Sequence, residues 1–413
     1  MIPPRGADAL LIQITGRDTA GLTHSLTTVL ADHGVRVLDI GQAVIHDSLS
    51  LGLLIEMTPA ARSSPLLPEL LLKAHELNLQ VRFTAIPQEE YARWVAAQRK
   101  LRFVVTLLGR EIEAVHLAEV SRVLAAQGLN IDRIDRLSRR LPLHEVSSAS
   151  RSCVEFSVSA ESADEDALRA GFMSIAQEMG VDIAFQHDNL YRRARRLVAF
   201  DMDSTLIEAE VIDELAAEAG VGAQVAAITE AAMRGELDFQ ESFRRRVALL
   251  TGLPETALDR VAGRIPLMEG AGRLIATLKH LGYKTAILSG GFTWFGRQLQ
   301  QRLGIDYLHA NELVIRNGKV TGEVALPIVD GARKAELLKQ IAAQEGLSLE
   351  QVIAVGDGAN DLPMLGVAGL GIAFRAKPRV RTAARQSVSS LGLDGILYLL
   401  GVRDRDVPVS SPG

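Results

Sequence analysis

Two aspartates at positions i and i+2, Asp201 and Asp203, directly follow the apolar run Leu197-Val198-Ala199-Phe200. In open α/β sheets ligands collect at the carboxyl ends of the strands. Two carboxylates there, one on the strand end and one on the turn after it, can both approach one ligand. Burying two acids together is costly unless a cation or a catalytic role offsets it. Taken alone, the pair reads equally well as a helix cap. Ser289-Gly290-Gly291 follows a second apolar run, Thr285 to Leu288. A hydroxyl and free backbone N–H groups at a strand end make an oxyanion or phosphate seat, although Ser-Gly-Gly is also common turn chemistry. Gly356-Asp357-Gly358-Ala359-Asn360-Asp361 follows a third run, Val352 to Val355. Asp357 and Asp361 offer hard oxygen ligands of the kind Mg²⁺ prefers, and Asn360 adds a neutral polar contact. Lys334, at the start of a helical stretch, could neutralise phosphate charge; alone it reads as a surface lysine.

These groups need a scaffold that brings strand ends together. Leu197–Phe200, Thr285–Leu288, Val352–Val355 and Leu370–Phe374 are short, fully apolar runs separated by helical segments. That is the pattern of an α/β, doubly wound parallel sheet. The stretch from about 207 to 270 is helical without such a run, so it reads as a cap inserted after the first strand. Asn317-Gly318 between two short apolar runs is a hairpin signal.

The first half of the chain reads as a weak repeat. An apolar run (Leu10 to Thr15, then Leu101 to Leu108) is broken by Gly16-Arg17-Asp18 or Gly109-Arg110-Glu111, and a helical stretch ends at Gly34 or Gly128. Val35–Ile40 and Leu49–Met57 continue the first copy as strands. In the second, Leu129–Ile131 and Val154–Val158 are strands and Ala167–Met179 is helical. Each copy reads β-α-β-β-α-β, an α+β sandwich of ferredoxin-like type. A helical stretch from Leu66 to Leu77 reads as lying between the copies, and a charged one from Glu89 to Lys100 as their connection. Arg192 to Arg196 reads as a solvated basic linker. The expected domains are therefore 8–88, 100–186 and 195–401.

Composition narrows the function classes. The 413 residues are 47% hydrophobic and 23% charged with net charge -5, which gives no footprint for nucleic acid or membrane surfaces. The start of the chain lacks a basic segment followed by a long apolar one, and no run of about 18 apolar residues occurs. The single cysteine, Cys153, lies in an apolar run and reads as strand packing. A cytoplasmic location is expected. The tail from Val402 to Gly413 reads as polar and is given no role.

Jointly, the motifs say more. Asp-x-Asp, then Ser, then Lys, then Gly-Asp-x-x-x-Asp, in this order, resemble the four motifs of the haloacid-dehalogenase superfamily of phosphotransferases. Asp201 to Glu210, Met233 to Phe239, Arg244 to Val247 and Ser289 to Phe292 resemble phosphoserine phosphatases within it. The two N-terminal copies resemble ACT domains, small amino-acid-sensing modules. Gly16-Arg17-Asp18-x-x-Gly21 is close to their ligand loop; the second copy keeps Gly109 but has Ala114 at the later glycine position. The whole layout resembles the mycobacterial type.

The resemblance implies a mechanism. Asp201 is the nucleophile that becomes an aspartyl phosphate, and Asp203 the general acid and base. Asp201, Asp357 and the main-chain carbonyl of Asp203 hold Mg²⁺, with Asp361 in support. Ser289, Gly290 and Lys334 bind phosphoryl oxygens, Arg246 the substrate carboxylate and Glu210 its ammonium group. Met233 and Phe239 give the cap an apolar face. The implied substrate is O-phospho-L-serine, in the last step of L-serine biosynthesis, with L-serine as an effector at Gly16, Asp18, Gly21 and Gly109 and a homodimer as the assembly. A related phosphatase for phosphothreonine or a protein phosphosite, and an amino-acid-responsive regulator with a vestigial catalytic domain, are the rival readings.

Overall fold

The computed structural model describes residues 8–97, 100–145, 147 and 150–407. The chain folds as two compact units, residues 1–100 and 101–413.

The first unit is an antiparallel sheet covered by two helices. Its strands are β1 (Ala9–Arg17), β2 (Val37–Ile45), β3 (Ser48–Glu56) and β4 (Gln80–Ile86), in the order β2-β3-β1-β4. Alternate residues face opposite sides of a strand. Leu10, Ile12 and Ile14 of β1 therefore sit beside Ile55, Leu53 and Leu51 of β3 on one buried face. The helices Leu22–Asp32 and Leu66–Glu76 cover that face with Leu22, Leu26, Leu30, Leu66 and Leu70. The second of these helices belongs inside the first copy, which corrects its placement between the copies. β4 follows it directly; its mixed, half-buried sequence offers no continuous apolar run. The helix Gln88–Ala96 comes next, and residues 98 and 99 of the expected connecting stretch lie outside the described residues.

The second unit begins with the same topology. β5 (Leu101–Gly109), β6 (Asn130–Arg136), β7 (Ser152–Ala160) and β8 (Asp182–His187) pair in the order β6-β7-β5-β8. The helices Ala114–Ala126 and Glu165–Met179 cover one face. Cys153 is fully buried in β7, and burial pushes its thiol well above the usual range, so it packs rather than reacts.

A six-stranded parallel sheet follows. Its strands are β9 (Leu197–Phe200), β10 (Lys284–Phe292), β11 (Tyr307–Asn311), β14 (Val352–Gly356), β15 (Leu370–Phe374) and β16 (Gln386–Val388). They run in the order β11-β10-β9-β14-β15-β16. β9 lies centrally, paired with β10 and β14. Both faces are covered, which is why β9, β14 and β15 are apolar throughout. Leu197 and Ala199 pack with Leu338 and Ile341 of the helix Gly331–Gln344, and Val198 and Phe200 with Leu274, Ile275 and Leu278 of the helix Ala271–His280. Ser289-Gly290-Gly291 lies within the end of β10, not after it; the pairing with β11 slips between Leu288 and Phe292.

Four helices, Val211–Glu218, Gly222–Met233, Phe239–Ala248 and Glu255–Arg264, lie between Ile207 and Leu267, which pair as an antiparallel bridge. β12 (Leu313–Arg316) and β13 (Lys319–Val324) form the hairpin, with Asn317 and Gly318 both at positive φ, 52° and 70°. This is the backbone that Asn-Gly turns favour.

Two readings are corrected where the second module meets the parallel sheet. The basic segment is not a solvated linker: Arg192 is 6% exposed and Arg195 5%. Arg192 is drawn in by Glu155 of β7, 2.5 Å away. Gln351 fixes the segment further, its Nε2 donating to the Ala194 carbonyl at 2.9 Å and its carbonyl accepting from Arg196 N–H at 2.9 Å. Nor is the start of the tail idle. Asp404 accepts from the Arg139 N–H at 2.7 Å and pairs with Arg273 at 2.7 Å. The rest of the tail, 408–413, lies outside the described residues. The Asp182 carboxylate adds a third tie, accepting from the N–H groups of Ser389 and Ser390 at 2.8 and 2.7 Å.

Candidate active site

The backbone N–H of Asp201 donates to the Val355 carbonyl at 2.9 Å, so the ends of β9 and β14 stay in register where the acids begin. Asp201 is 5% exposed, and one of its oxygens accepts from the Met202 N–H at 2.7 Å. Lys334 is fully buried in the first turn of the helix Gly331–Gln344. Its Nζ lies 2.9 Å from Asp201 Oδ1 and 2.7 Å from Asp361 Oδ1, bridging the two acids. Asp361, also fully buried, accepts from the Gly358 N–H at 2.9 Å through its other oxygen. Carboxylate oxygens of Asp201, Asp357 and Asp361 all lie within 4.8 Å of one another.

One lysine does not balance this charge. Burial, then the charges on Asp201, Asp361 and Glu210, push the Asp357 carboxyl up to about 8. Burial and the Asp201 charge push Asp361 up to about 6, against the pull of Lys334. Burial would lower the Lys334 ammonium, but Asp201 and Asp361 outweigh it and raise it. Three hard oxygen donors with a deficit of positive charge fit a small divalent cation.

Asp203 is half-buried beside this cluster. Burial raises its carboxyl well above the usual range, and the charges on Glu210 and Asp201 add to the effect. A carboxyl raised in this way holds its proton more tightly, which suits a group that donates to a leaving group. A Cβ on Gly291 would lie 2.6 Å from Asp203 Oδ2 and 3.1 Å from Ser289 Oγ, so only glycine lets the β10 end come this close. Ser289 is fully buried, and its Oγ accepts from the Gly291 N–H at 2.9 Å. The Gly290 carbonyl is held by Asn311 Nδ2 at 2.8 Å. Above Gly290 stands Phe239, 3.1 Å from where a Cβ would be, with Asn360 Nδ2 at 3.9 Å. Phe239 stacks on Phe243, 6.0 Å between centroids, and Phe243 meets Phe292 at a tilt of 31°.

Glu210 keeps solvent contact and accepts from Ser204 Oγ at 2.8 Å. Partial burial, helped by the charges on Asp201 and Asp213 and opposed by the Ser204 hydrogen bond, raises its carboxyl above the usual range. Arg246 is the half-buried member of the Arg244–Arg246 run; the other two are exposed. Burial lowers its guanidinium, while the charges on Asp213, Glu210 and Asp203 raise it. Its Nε is buried without a hydrogen-bond partner. Met233 departs from expectation: it is 66% exposed at the end of its helix, so it gives the cap no buried apolar surface here.

In the first unit, Gly21 has φ 90° at the N-cap of the helix Leu22–Asp32, a conformation that favours glycine. Gly16 has no room for a Cβ beside Leu79, and the Asp18 N–H donates to the Asp47 carbonyl at 2.7 Å. In the second module the chain after Gly109 starts its helix differently. Glu113 caps it, and the Glu113 N–H donates to His116 Nδ1 at 2.9 Å.

Family models match at three places: an ACT domain at residues 8–84, another at 102–186, and a haloacid dehalogenase-like hydrolase at 198–366. A phosphoserine phosphatase of Mycobacterium tuberculosis is 42% identical over 406 residues, 98% of this chain and 96% of that one. This chain belongs to the phosphoserine phosphatase family. A member from Streptomyces coelicolor is 43% identical over 398 residues, 96% of this chain and 93% of its own. The fold is also that of a haloacid-dehalogenase-family hydrolase from Salmonella enterica serovar Typhi. The two align with TM-score 0.64 and 32% identity over 72% of this chain and 98% of that one.

Within this family frame, sequence reasoning had passed over three supports of the site. Thr205 Oγ1 donates to Asp357 Oδ1 at 3.3 Å; it sits inside the Asp201–Thr205 motif, so position was a signal. Asn311 reaches across from the edge strand β11, and its Oδ1 also accepts from the Val329 N–H at 2.8 Å. Gln240, in the first turn of the helix Phe239–Ala248, donates to Asp330 Oδ2 at 2.8 Å. Asp330 also caps the helix that carries Lys334. Neither of these last two has a local sequence signal.

Proposed function

We propose that this chain hydrolyses O-phospho-L-serine to L-serine and phosphate by two displacements at Asp201. In the first, an Asp201 oxygen bonds to phosphorus as the ester P–O bond breaks, and the Asp203 proton passes to the departing serine oxygen. In the second, water bonds to phosphorus and loses its proton to Asp203, and Asp201 leaves as a carboxylate. Splitting hydrolysis in this way lets a weak nucleophile serve. Asp203, raised by its surroundings, is suited to both proton transfers. The observation that carries the reading is Lys334 buried between Asp201 and Asp361 beside Asp357.

Asp201, Asp357 and the Asp203 carbonyl, with Asp361 in support, would hold Mg²⁺, which supplies positive charge against the repulsion between carboxylate and phosphate. Ser289, the Gly290 backbone and Lys334 take the phosphoryl oxygens, and Asn360 borders them. Positioning and charge compensation of this kind dominate phosphoryl transfer. Arg246 takes the substrate carboxylate, Glu210 its ammonium group, and Phe239 closes over the site from the cap.

Phosphate release from free phosphoserine, with and without Mg²⁺, tests the reading. Arg246→Ala should abolish phosphoserine turnover while largely sparing an aryl phosphate. Equal loss on both substrates would remove Arg246 from substrate recognition.

The catalytic domain is assigned to 195–401, with its cap at about 207–270, and the sensor modules to 8–88 and 100–186. L-serine is proposed to act on the first module around Gly16, Asp18 and Gly21, and on the second at Gly109. Calorimetry that finds no serine binding would end that part. A cytoplasmic homodimer is proposed as the working form. It is supported by Ile40 and Ile45, 52% and 75% exposed on the edge strand β2, and sedimentation tests it. Among the described residues, no helix is long and apolar enough to cross a membrane.

A further inference from the structure

The second α+β module and the parallel sheet line a solvent-open cavity of about 290 Å³ at the end of the sheet opposite the aspartates. The topology fixes that placement. Arg195 stands two residues before β9, Glu350 two before β14, Gly369 one before β15, and Arg385 one before β16. The strands are parallel, so these residues share the amino-terminal edge, whereas Asp201, Ser289 and Asp357 lie at the carboxyl ends. The facing wall comes from β8 and the helix Glu165–Met179, with Gln186 and Arg169 among its residues.

The chemistry of this cavity is cationic and incomplete. Arg195 is 5% exposed, and its Nε and Nη1 have no hydrogen-bond partner. No carboxylate pairs with it among the described residues. Burial, and the like charge of Arg192, push its guanidinium down to about 10. Arg192 differs in its charge balance: Glu155 pairs with its Nη2 at 2.5 Å, although its Nε is also buried without a partner. Gln186 Oε1, in the same lining, is also buried without a partner. Arg169 is held by Glu165 at 3.1 Å and donates to the Arg385 carbonyl at 3.3 Å. Arg385 itself is exposed, and its guanidinium makes no ion pair among the described residues. Glu350 is the one acid in the lining; it is exposed and forms no ion pair with these arginines. A buried, unpaired guanidinium is costly to keep. A guanidinium without a counter-ion in the lining of a cavity suits a carboxylate or phosphate.

We propose that this cavity is a second ligand site, for a small organic anion whose carboxylate or phosphate group supplies the counter-charge that Arg195 lacks. The volume is at the small end of ligand pockets, roughly 300–1,000 Å³, so the ligand has few carbon atoms. Arg195 lies six residues before Asp201, and the facing wall belongs to the second module. A ligand held here therefore bridges the module to the segment that feeds the catalytic strand.

Calorimetry on the full-length protein tests the site with malonate as the carboxylate probe and methylphosphonate as the phosphate probe. At least one should bind at millimolar concentration. Arg195→Met should weaken that probe by roughly tenfold or more, as expected for losing a charge-assisted hydrogen bond. Arg385→Ala, on the exposed rim, should weaken it in the same direction by less. Both variants should keep phosphoserine turnover in the absence of probe. The probe that binds more tightly identifies the headgroup class. Failure of both probes to bind overturns the proposal, as does equal affinity in wild type and Arg195→Met, which would place the anion elsewhere. Should Arg195→Met not fold, unchanged affinity in Arg385→Ala overturns it.

Discussion

Replacing Lys334 by Met keeps the length of the side chain and removes its charge. In the folded protein this leaves Asp201 and Asp361 facing each other across a space with no solvent, where Nζ had stood 2.9 and 2.7 Å from their oxygens. Removing one partner of a buried ion pair costs about 3–5 kcal/mol. For a domain of this size each kcal/mol moves the melting temperature by about 2–4 °C. In EDTA, the catalytic-domain transition of Lys334→Met should therefore fall by about 6–20 °C. Magnesium should raise the variant's melting temperature more than it raises that of wild type, because the vacated site is more negative and binding to the folded state stabilises it. Activity should not return with stability: on the proposed role of Lys334, loss of a phosphoryl-oxygen donor lowers kcat by about 10²–10³. Scanning calorimetry in EDTA and in Mg²⁺, together with phosphate release, separates the two effects. Combining Lys334→Met with Asp361→Asn should recover part of the stability, with a coupling of about 0.5–3 kcal/mol. A Lys334→Met protein that melts within about 2 °C of wild type in EDTA would refute the claim that this ammonium holds the acids together.

Three further perturbations probe other parts of the molecule. Gly291→Ala would place a methyl group 2.6 Å from Asp203 Oδ2; steady-state kinetics should show kcat falling by about 10²-fold through displacement of the acid, and an unchanged kcat would contradict the close approach. Gln240→Ala removes the 2.8 Å bond from the cap to Asp330, so KM for phosphoserine should rise severalfold, in line with about 0.5–1.5 kcal/mol for one hydrogen bond; identical kinetics would mean the bond does not hold the cap. At Asp404, burial would raise the carboxyl, but the Arg139 N–H, Arg273 and Tyr398 outweigh it and lower it. Its stabilisation is therefore present above the unfolded value of about 3.9 and is lost as pH falls through the lower folded value. Urea midpoints should consequently drop less steeply below about pH 4 for Asp404→Asn than for wild type, and parallel curves would rule this out.

Much of the candidate site was legible because of where a doubly wound sheet puts its chemistry. Strands buried on both faces are continuous apolar runs, and the polar residues that end them are the site. Asp201, Asp357 and Asp361 come together on that logic alone. The edge elements were harder to see. β4, β8 and β16 are short or half-buried, and their mixed sequences look like loops. The exposure of Met233 and the helix placement of Leu66–Glu76 depend on packing that no local pattern encodes. The Arg192–Arg196 segment misled for the same reason. Its local charge argues for solvent, while the acid that satisfies Arg192 lies 37 residues away in β7.

The arginines show what a structure adds to such a reading. Arg244, Arg245 and Arg246 are indistinguishable by composition, as are Arg192, Arg193, Arg195 and Arg196. Burial and ion pairing together separate them. Arg246 and Arg195 are each drawn into the protein with a guanidinium nitrogen left unpaired and, among the described residues, no carboxylate in an ion pair with them, and in each case burial lowers the group's affinity for its proton. Folding alone gives no reason to bury a cation and leave its donors empty, since a neutral residue of similar shape would cost less. Arg246 faces the acids of the proposed substrate pocket, where a carboxylate-bearing phosphate ester would complete it. By the same physical argument, Arg195 calls for an anion at the other end of the sheet, and the cavity beside it is large enough for one small molecule to provide it.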